Sequence, residues 1–417
     1  MPCSEQSVGI LATIPTHFNP QKHIPIHYFM QVFFIIAILL VFYTYIGYGI
    51  VLYFLILVKR VFAPAVPKVF GDQELPTCTL IVAAFNEQDF IEEKINNTLA
   101  LNYPAGKLQL IFVTDGSTDL TPEIVSRYQQ IHLMHSADRK GKIAAVHRVM
   151  EIVDTDLVVF TDANTFLNAD ALFHLCKHYA DERVGGVAGE KKVYTDKHAD
   201  ATAGEGIYWK YESKLKEWDS ELHTVVGAAG ELYSIRRSLY QPVPKNSILD
   251  DFMISMRIAE KGYRIKYEPD AFAQETSSAN ISEELKRKVR IGAGGIQSVI
   301  WLKSLMNPFR HPVLTFQYIS HRVLRWTLTP LALIAAYLTN VLIIAQYGGN
   351  IYYTLFLLQT LFYLMALCGF WLEKRKIRLK ILFIPYYFCM MNYAVVAGTL
   401  RFFKGKQSAV WEKAIRK

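Results

Sequence analysis

Leu157-Val158-Val159-Phe160-Thr161-Asp162-Ala163-Asn164 is the stretch on which the reading of this chain turns. Four consecutive apolar residues run into an aspartate, and an asparagine stands two places later. An unbroken apolar run suits a strand buried on both faces of a parallel sheet. Such a strand delivers the turn behind it to the carboxyl edge, where open α/β sheets bind ligands. Here that turn is rich in oxygen atoms, equipped for a hard divalent cation carrying a diphosphate. The same residues read equally well as a cap on the helix that Asn168-Ala169-Asp170 opens. The rest of the chain decides between them.

Upstream, Thr79 to Phe85 reads as a buried strand ending at Asn86-Glu87, and Glu92 to Leu99 as a helix. Leu108 to Val113 is a second strand, ending at Thr114-Asp115-Gly116-Ser117-Thr118-Asp119. Thr121-Pro122-Glu123 opens a helix with proline in its first turn. Ile131 to Met134 is a third strand, and Lys140-Gly141-Lys142 leads a helix toward Val153. This β-α-β-α-β succession predicts an α/β fold, a mostly parallel sheet with helices on both faces. Downstream, Gly185 to Gly189 with Lys192 to Tyr194 predicts a strand, and Gly204 to Trp218 a helix. Next come a small-residue loop at Gly227-Ala228-Ala229-Gly230-Glu231, a helix from Leu249 to Lys261 and a short strand from Arg264 to Tyr267.

The chain has 417 residues, enough for one large catalytic domain and more. It is 52% hydrophobic with a mean hydropathy of +0.16, and the excess lies at the two ends. Residues 1–27 read as a flexible tail. Tyr28 to Val58 carries no charge and is long enough to span a bilayer. It is too long and starts too late for a signal peptide. Lys59-Arg60 come directly after it, which places the N-terminus outside and the next segment in the cytosol. Residues 282–306 form a basic amphipathic helix suited to a membrane surface. Trp326 to Leu372 is again uncharged, broken at Gln346 to Asn350, and reads as two spans. Ile381 to Leu400 carries Pro385, Asn392 and Gly398. Spanning would push the basic tail Arg401 to Lys417 outside; lying in the interface keeps it inside, as the charge rule prefers. The implied divisions are 1–60, a tail and span; 61–281, the cytosolic domain; 282–320, interfacial helices; and 321–417, a membrane hairpin, interfacial segment and basic tail.

The net charge of +8 gathers beside the apolar segments, so it reads as membrane-flanking charge and not as a nucleic-acid surface. The five cysteines form no CxxC pair and imply neither a disulfide framework nor zinc. The spans carry no ionisable residue, which disfavours a transporter. His132, His135, His147 and His223 lack metal spacing. Tyr208, Trp209, Tyr211 and Trp218 read as core or membrane-interface anchors before sugar-stacking platforms.

Three acidic groups stand behind strands or open helices: Asp115, Asp162 and Asp250-Asp251. In a parallel sheet the first two share one edge. The paired carboxylates repel each other, which raises one pKa toward that of a general base.

Taken in order, Ala83 to Glu87, Thr114 to Asp119, Gly141-Lys142, Thr161 to Asn164, Gly230-Glu231-Leu232 and Asp250-Asp251 resemble family 2 glycosyltransferases with the GT-A (Rossmann-like) fold. The membrane-embedded cellulose, hyaluronan, chitin and poly-N-acetylglucosamine synthases are the branch most similar. The resemblance covers about 79–417. It implies an inverting transfer from a UDP-sugar to a β-linked glycan or glycolipid at the cytosolic face of the plasma (inner) membrane. It implies that Asn86, Glu87 and Asp115 hold the uridine, with Lys142 near the nucleotide. Asp162, with Asn164, would bind Mg²⁺ or Mn²⁺ and the diphosphate. Asp251 matches the catalytic base, with Asp250 beside it. Arg287-Lys288-Val289-Arg290-Ile291 aligns with Gln-x-x-Arg-Trp, placing Arg290 on the diphosphate and Ile291 at the acceptor. Gly230, Glu231 and Trp411 would complete the acceptor side, with Arg416 near Trp411.

The chain departs from the pattern in three places. Asp-x-Asp is Asp162-Ala163-Asn164, the usual Glu of the base motif is Asp250, and the Gln and Trp of Gln-x-x-Arg-Trp are absent. Few spans are available, so a polymer channel would need self-association or an export partner. The alternatives are a single transfer to a polyprenyl-phosphate or other lipid-linked acceptor, and a non-catalytic nucleotide-sugar-binding or scaffold subunit.

Overall fold

The computed structural model describes residues 26–62, 70–71, 74–194, 203–276, 281–375, 377 and 379–408. The N-terminal tail, Trp411 and Arg416 lie outside the described residues. One sheet of eight strands organises the α/β part. In chain order these are β1 (Cys78–Ala84), β2 (Leu108–Asp115), β3 (His132–Ser136), β4 (Leu157–Asp162), β5 (Phe166–Leu167), β6 (Val184–Tyr194), β7 (Leu232–Arg236) and β8 (Arg264–Thr276). Their spatial order is β3-β2-β1-β4-β7-β6-β8-β5. β1 pairs in parallel with both β2 and β4. Strand order reverses between β1 and β4, so a crevice opens at their carboxyl ends.

β4 is buried from Leu157 to Thr161, and Asp162 emerges at its end. Alternate side chains feed two cores: Val158 and Phe160 join Ile81 and Val113 on one face, while Leu157 and Val159 join Leu80 and Phe112 on the other. The turn after β4 leads into β5 and not into a helix. Thr165 donates its backbone N–H (3.4 Å) and its hydroxyl (2.9 Å) back to the Asp162 carbonyl. The cap reading of Asp162 and Asn164 therefore fails; the helix Ala171–Cys176 starts later, at Asp170.

The second half is more regular than its composition predicts. Gly185 to Tyr194 belongs to one continuous strand, and β8 runs far past Tyr267 to pair with it, with two register shifts along the way. β7 is antiparallel to both β4 and β6.

Among the described residues four helices are long and apolar enough to cross a membrane: His27–Phe62, Leu328–Tyr347, Asn350–Lys374 and Lys380–Phe403. The first has 36 residues, about 54 Å of helix, well beyond the ~30 Å of a hydrocarbon core. Its surplus is used against the α/β part. Tyr48, Leu52 and Ile56 are buried with Leu215 of the helix Ala203–Leu222. Lys59 donates to the Glu221 and Leu222 carbonyls (2.5 and 2.9 Å), and Arg60 grips the Glu221 carboxylate at 2.6 Å. The membrane-flanking cations thus also complete the C-terminus of that helix.

Helix Lys380–Phe403 packs at one end on helix Asn350–Lys374, at Gly369, and at the other on helix Ile281–Trp301. At that second crossing a Cβ on Gly398 would sit 2.6 Å from the Ala293 nitrogen, and one on Gly292 2.8 Å from the Ala394 carbonyl.

Candidate active site

A cavity of about 1540 Å³ lies where the sheet edge meets the membrane helices. Lys142, Asp162, Gly230, Glu231, Asp250, Asp251, Arg290 and Ile291, all singled out from the sequence, line it.

Lys142 begins the helix Lys142–Met150 and Asp162 ends β4; the Lys142 ammonium donates to Asp162 Oδ1 at 2.6 Å. Burial alone would lower the pKa of this amine. The carboxylates of Asp162, Asp250 and Asp251 outweigh that and hold it above the ordinary lysine value. Asp250 and Asp251 open the helix Asp250–Glu260, whose dipole favours acidic groups there. Asp251 Oδ1 accepts from the Phe252 N–H at 2.8 Å. Burial and then the neighbouring Asp250 push the Asp251 carboxyl up to about 7, against the opposing pull of Lys142. A carboxyl poised there matches a proton acceptor working at neutral pH.

The loop Gly227-Ala228-Ala229-Gly230 seals this arrangement. Gly227, at φ +90°, passes so close to the Phe252 ring that a side chain has no room, and Ser255 Oγ takes the Ala228 N–H at 3.0 Å. A Cβ on Gly230 would stand 3.2 Å from Asp251 Oδ2 and 3.4 Å from Lys142 Nζ. Next to it, Glu231 pairs with Lys191 at 2.6 Å and lies 4.0 Å from Arg287. Burial would raise its pKa, but those two cations hold it well below the carboxylate range. Its charge is therefore spent inside the protein, next to Glu275, which also pairs with Lys191 and Arg287.

Asp115 sits at the end of β2 and accepts from the Lys140 and Gly141 N–H groups at 2.8 and 2.6 Å. Its Oδ1 is buried without a hydrogen bond. The Arg139 guanidinium covers the Phe85 ring at 3.8 Å, and with Asp115 and Lys142 these residues line a narrow slot beside the main cavity. Asn86, at φ +53°, accepts from the Thr118 N–H at 2.8 Å, and the Glu87 N–H donates to Thr121 Oγ1 at 2.8 Å. These contacts tie the loops after β1 and β2 together. Arg290 reaches the Ile248 carbonyl at 3.4 Å, and its Nε is buried without a hydrogen bond.

Asp162, whose Oδ1 is held by Lys142, lines this cavity with Asp250 and Asp251, whereas Asn164 stands on the same turn but is not part of the lining. Carboxylate oxygens are the donor type that hard divalent cations take. The close-set trio His174, Glu268 and Asp270 lies elsewhere, and Lys177 stands 2.9 Å from Glu268.

Two groups escaped the sequence reading. Lys94, fully buried beneath the Asp162 turn, donates to the Thr165 carbonyl at 2.5 Å and lies 3.3 Å from Thr161 Oγ1. Glu212 accepts from Arg322 (2.9 Å) and Arg325 (2.8 Å) and faces His321 Nε2 at 3.1 Å. His321 Nδ1 lies 2.5 Å from Asp219, which also binds Tyr48 of the first span. No spacing signal exists for partners so far apart in the chain. The only sequence clue to Lys94 is a lysine on the inward face of an amphipathic helix.

Residues 79–243 match the family model described as Glycosyl transferase family 2. Residues 79–243 are therefore similar to a family 2 glycosyltransferase domain, and the fold is GT-A-like. The chain is 27% identical over 233 residues to a poly-beta-1,6-N-acetyl-D-glucosamine synthase of Staphylococcus aureus, covering 53% of this chain and 55% of that protein. It is 28% identical over 164 residues to a beta-monoglucosyldiacylglycerol synthase of Nostoc, covering 38% of this chain and 34% of the relative. The match thus spans about half the length, or less, of these relatives. A mannosyltransferase from Pyrobaculum calidifontis, solved with GDP-Man and Mn²⁺, shares the fold over 90% of this chain and 100% of its own. The TM-score is 0.66 at 22% identity.

Proposed function

We propose that this protein is a membrane-embedded glycosyltransferase. It moves a sugar from a UDP-sugar to a growing β-linked glycan or a glycolipid at the cytosolic membrane face, with inversion at C1. One observation carries the reading: a carboxyl at about 7, Asp251, shares a cavity with the Lys142–Asp162 pair at the end of β4. The family match and the two synthase relatives support it.

Asp251 takes the proton of an acceptor hydroxyl as that oxygen attacks C1 of the donor sugar. The C1–oxygen bond to the nucleotide breaks, and the diphosphate leaves with the electron pair. Arg290 and Lys142 bring positive charge to that leaving group. Asp115 and the slot beside Phe85 hold the nucleoside, with Asn86 and Glu87 bracing the loops around it. Asp162, with Asn164 on the same turn, would hold a Mg²⁺ or Mn²⁺ ion, which would supply Lewis-acid stabilisation of the diphosphate. Gly230 and Ile291 face the acceptor. The Lys59-Arg60 pair beside the first span supports a cytosolic domain.

The test is nucleoside diphosphate release from membranes carrying the chain, across a panel of UDP- and GDP-sugars. The reading expects UDP release with one sugar and its loss in Asp251→Asn. Absence of release with every donor, or full release in that variant, overturns it.

A further inference from the structure

The cavity, about 1540 Å³, exceeds the ~300–1,000 Å³ that holds a drug-sized ligand. Space remains beside a nucleotide sugar, and it does not lie in the α/β part. One wall is formed by Ile46, Gly49, Ile50 and Tyr53 of the first span. Facing it stand Ile384, Phe388 and Met391 of helix Lys380–Phe403. Both helices are apolar enough to cross a membrane. Ile46, Ile50 and Ile384 are 52%, 59% and 47% exposed, so the wall offers carbon surface to whatever fills it. The two helices meet where Tyr45 donates to Asn392 Oδ1 at 2.7 Å and the Tyr45 and Phe388 rings lie 4.8 Å apart.

The lining is chemically mixed. The α/β part contributes Lys142, Asp162 and Asp251, and Arg322 and Arg325 are fixed on Glu212. The two apolar helices contribute aliphatic and aromatic side chains, with Tyr45 and Asn392 paired to each other. A water-soluble glycan requires polar partners for its hydroxyls, and an unmet hydroxyl against such a wall costs free energy. A hydrocarbon chain gains from the same wall.

We infer that the acceptor is carried on a lipid. Its hydrocarbon chain lies between the first span and helix Lys380–Phe403, and its head group presents the attacking hydroxyl to Asp251. This rests on the glycosyl-transfer reading above and narrows its acceptor class. The growing soluble glycan is the competing occupant.

Membranes bearing the full chain are incubated with radiolabelled nucleotide sugars and extracted with organic solvent. The inference expects label in the organic phase as glycosylated lipid. Ile50→Trp and Met391→Trp, which fill the gap away from the carboxylates, are expected to cut that labelling about tenfold. Nucleotide-sugar binding, measured on the same membranes, stays at the wild-type level and shows that the variants are folded. Label confined to aqueous glycan, or unchanged lipid labelling in both gap-filling variants, overturns the lipid acceptor while leaving glycosyl transfer intact. Absence of nucleotide turnover with any sugar overturns the transfer reading itself, and this inference with it.

Discussion

Lys142 Nζ lies 2.6 Å from Asp162 Oδ1, so the helix after the Gly141 turn supplies a cation to the carboxylate at the end of β4. The same ammonium is the charge that opposes the rise at Asp251. Lys142→Met removes a charge-assisted bond worth ~1.5–3 kcal/mol. The expected result is a donor KM raised by about one to two orders of magnitude. Steady-state kinetics check it.

Asp251 supplies the pH dependence. Its carboxyl stands near 7, so it is protonated below that value and unable to accept a proton. Turnover is expected to rise as pH increases through about 7 and then level off. Because Lys142 pulls this pKa down, Lys142→Met moves the rising limb to higher pH. A log kcat/KM profile of both proteins measures the shift. Asp251→Asn is expected to lose about 10²–10⁴-fold in kcat with nucleotide binding retained.

Lys94 carries a stability signature. Burial lowers its pKa from 10.5 to about 7, with Asp162 opposing. Between those values the unfolded chain binds a proton that the folded chain does not, so this group adds stability as pH rises from about 7 toward 10.5. The increment is lost as pH falls through that window. Lys94→Met is expected to flatten the slope of the melting midpoint against pH relative to wild type. Thermal denaturation of detergent-solubilised protein at a series of pH values tests this.

Glu212 is the counter-charge of a buried junction. Its pKa is driven well below normal by His321, Arg322 and Arg325, against a burial effect that would raise it. Glu212→Gln leaves Arg322 and Arg325 without their counter-charge and is expected to cost ~3–5 kcal/mol. Loss of the folded fraction in a thermal melt is the readout. Retained stability would mean that water or lipid takes over the charge.

Gly398 marks a close helix crossing, where a Cβ would meet the backbone of helix Ile281–Trp301. A Val there meets the backbone at Val289 and Ala293, which cannot yield as a side chain would. Helix Ile281–Trp301 then moves, and Arg290 and Ile291 with it. The expected cost is ~1–3 kcal/mol, with a larger fall in kcat than in nucleotide affinity. Paired melting and kinetic measurements separate the two effects.

Periodicity and turn chemistry in the sequence alone determined the parallel strands β1 to β4, the apolar helices, and the acidic residues at strand and helix ends. These are local: a strand buried on both faces is apolar nearly throughout, and charge is costly in the hydrocarbon-facing length of a span. Only the tertiary structure decided that the Asp162 turn feeds β5 and is no helix cap. Only it brought Lys94 beneath that turn, set Glu212 against His321 and two arginines, and extended β8 beside β6. Each of these joins residues far apart in the chain through a buried pairing, where a charge is stable only once its partner arrives from another element. In Asp162-Ala163-Asn164 the sequence determined which oxygens stand on the turn; the fold determined that Lys142 meets Asp162 and that Asp251 shares a cavity with it.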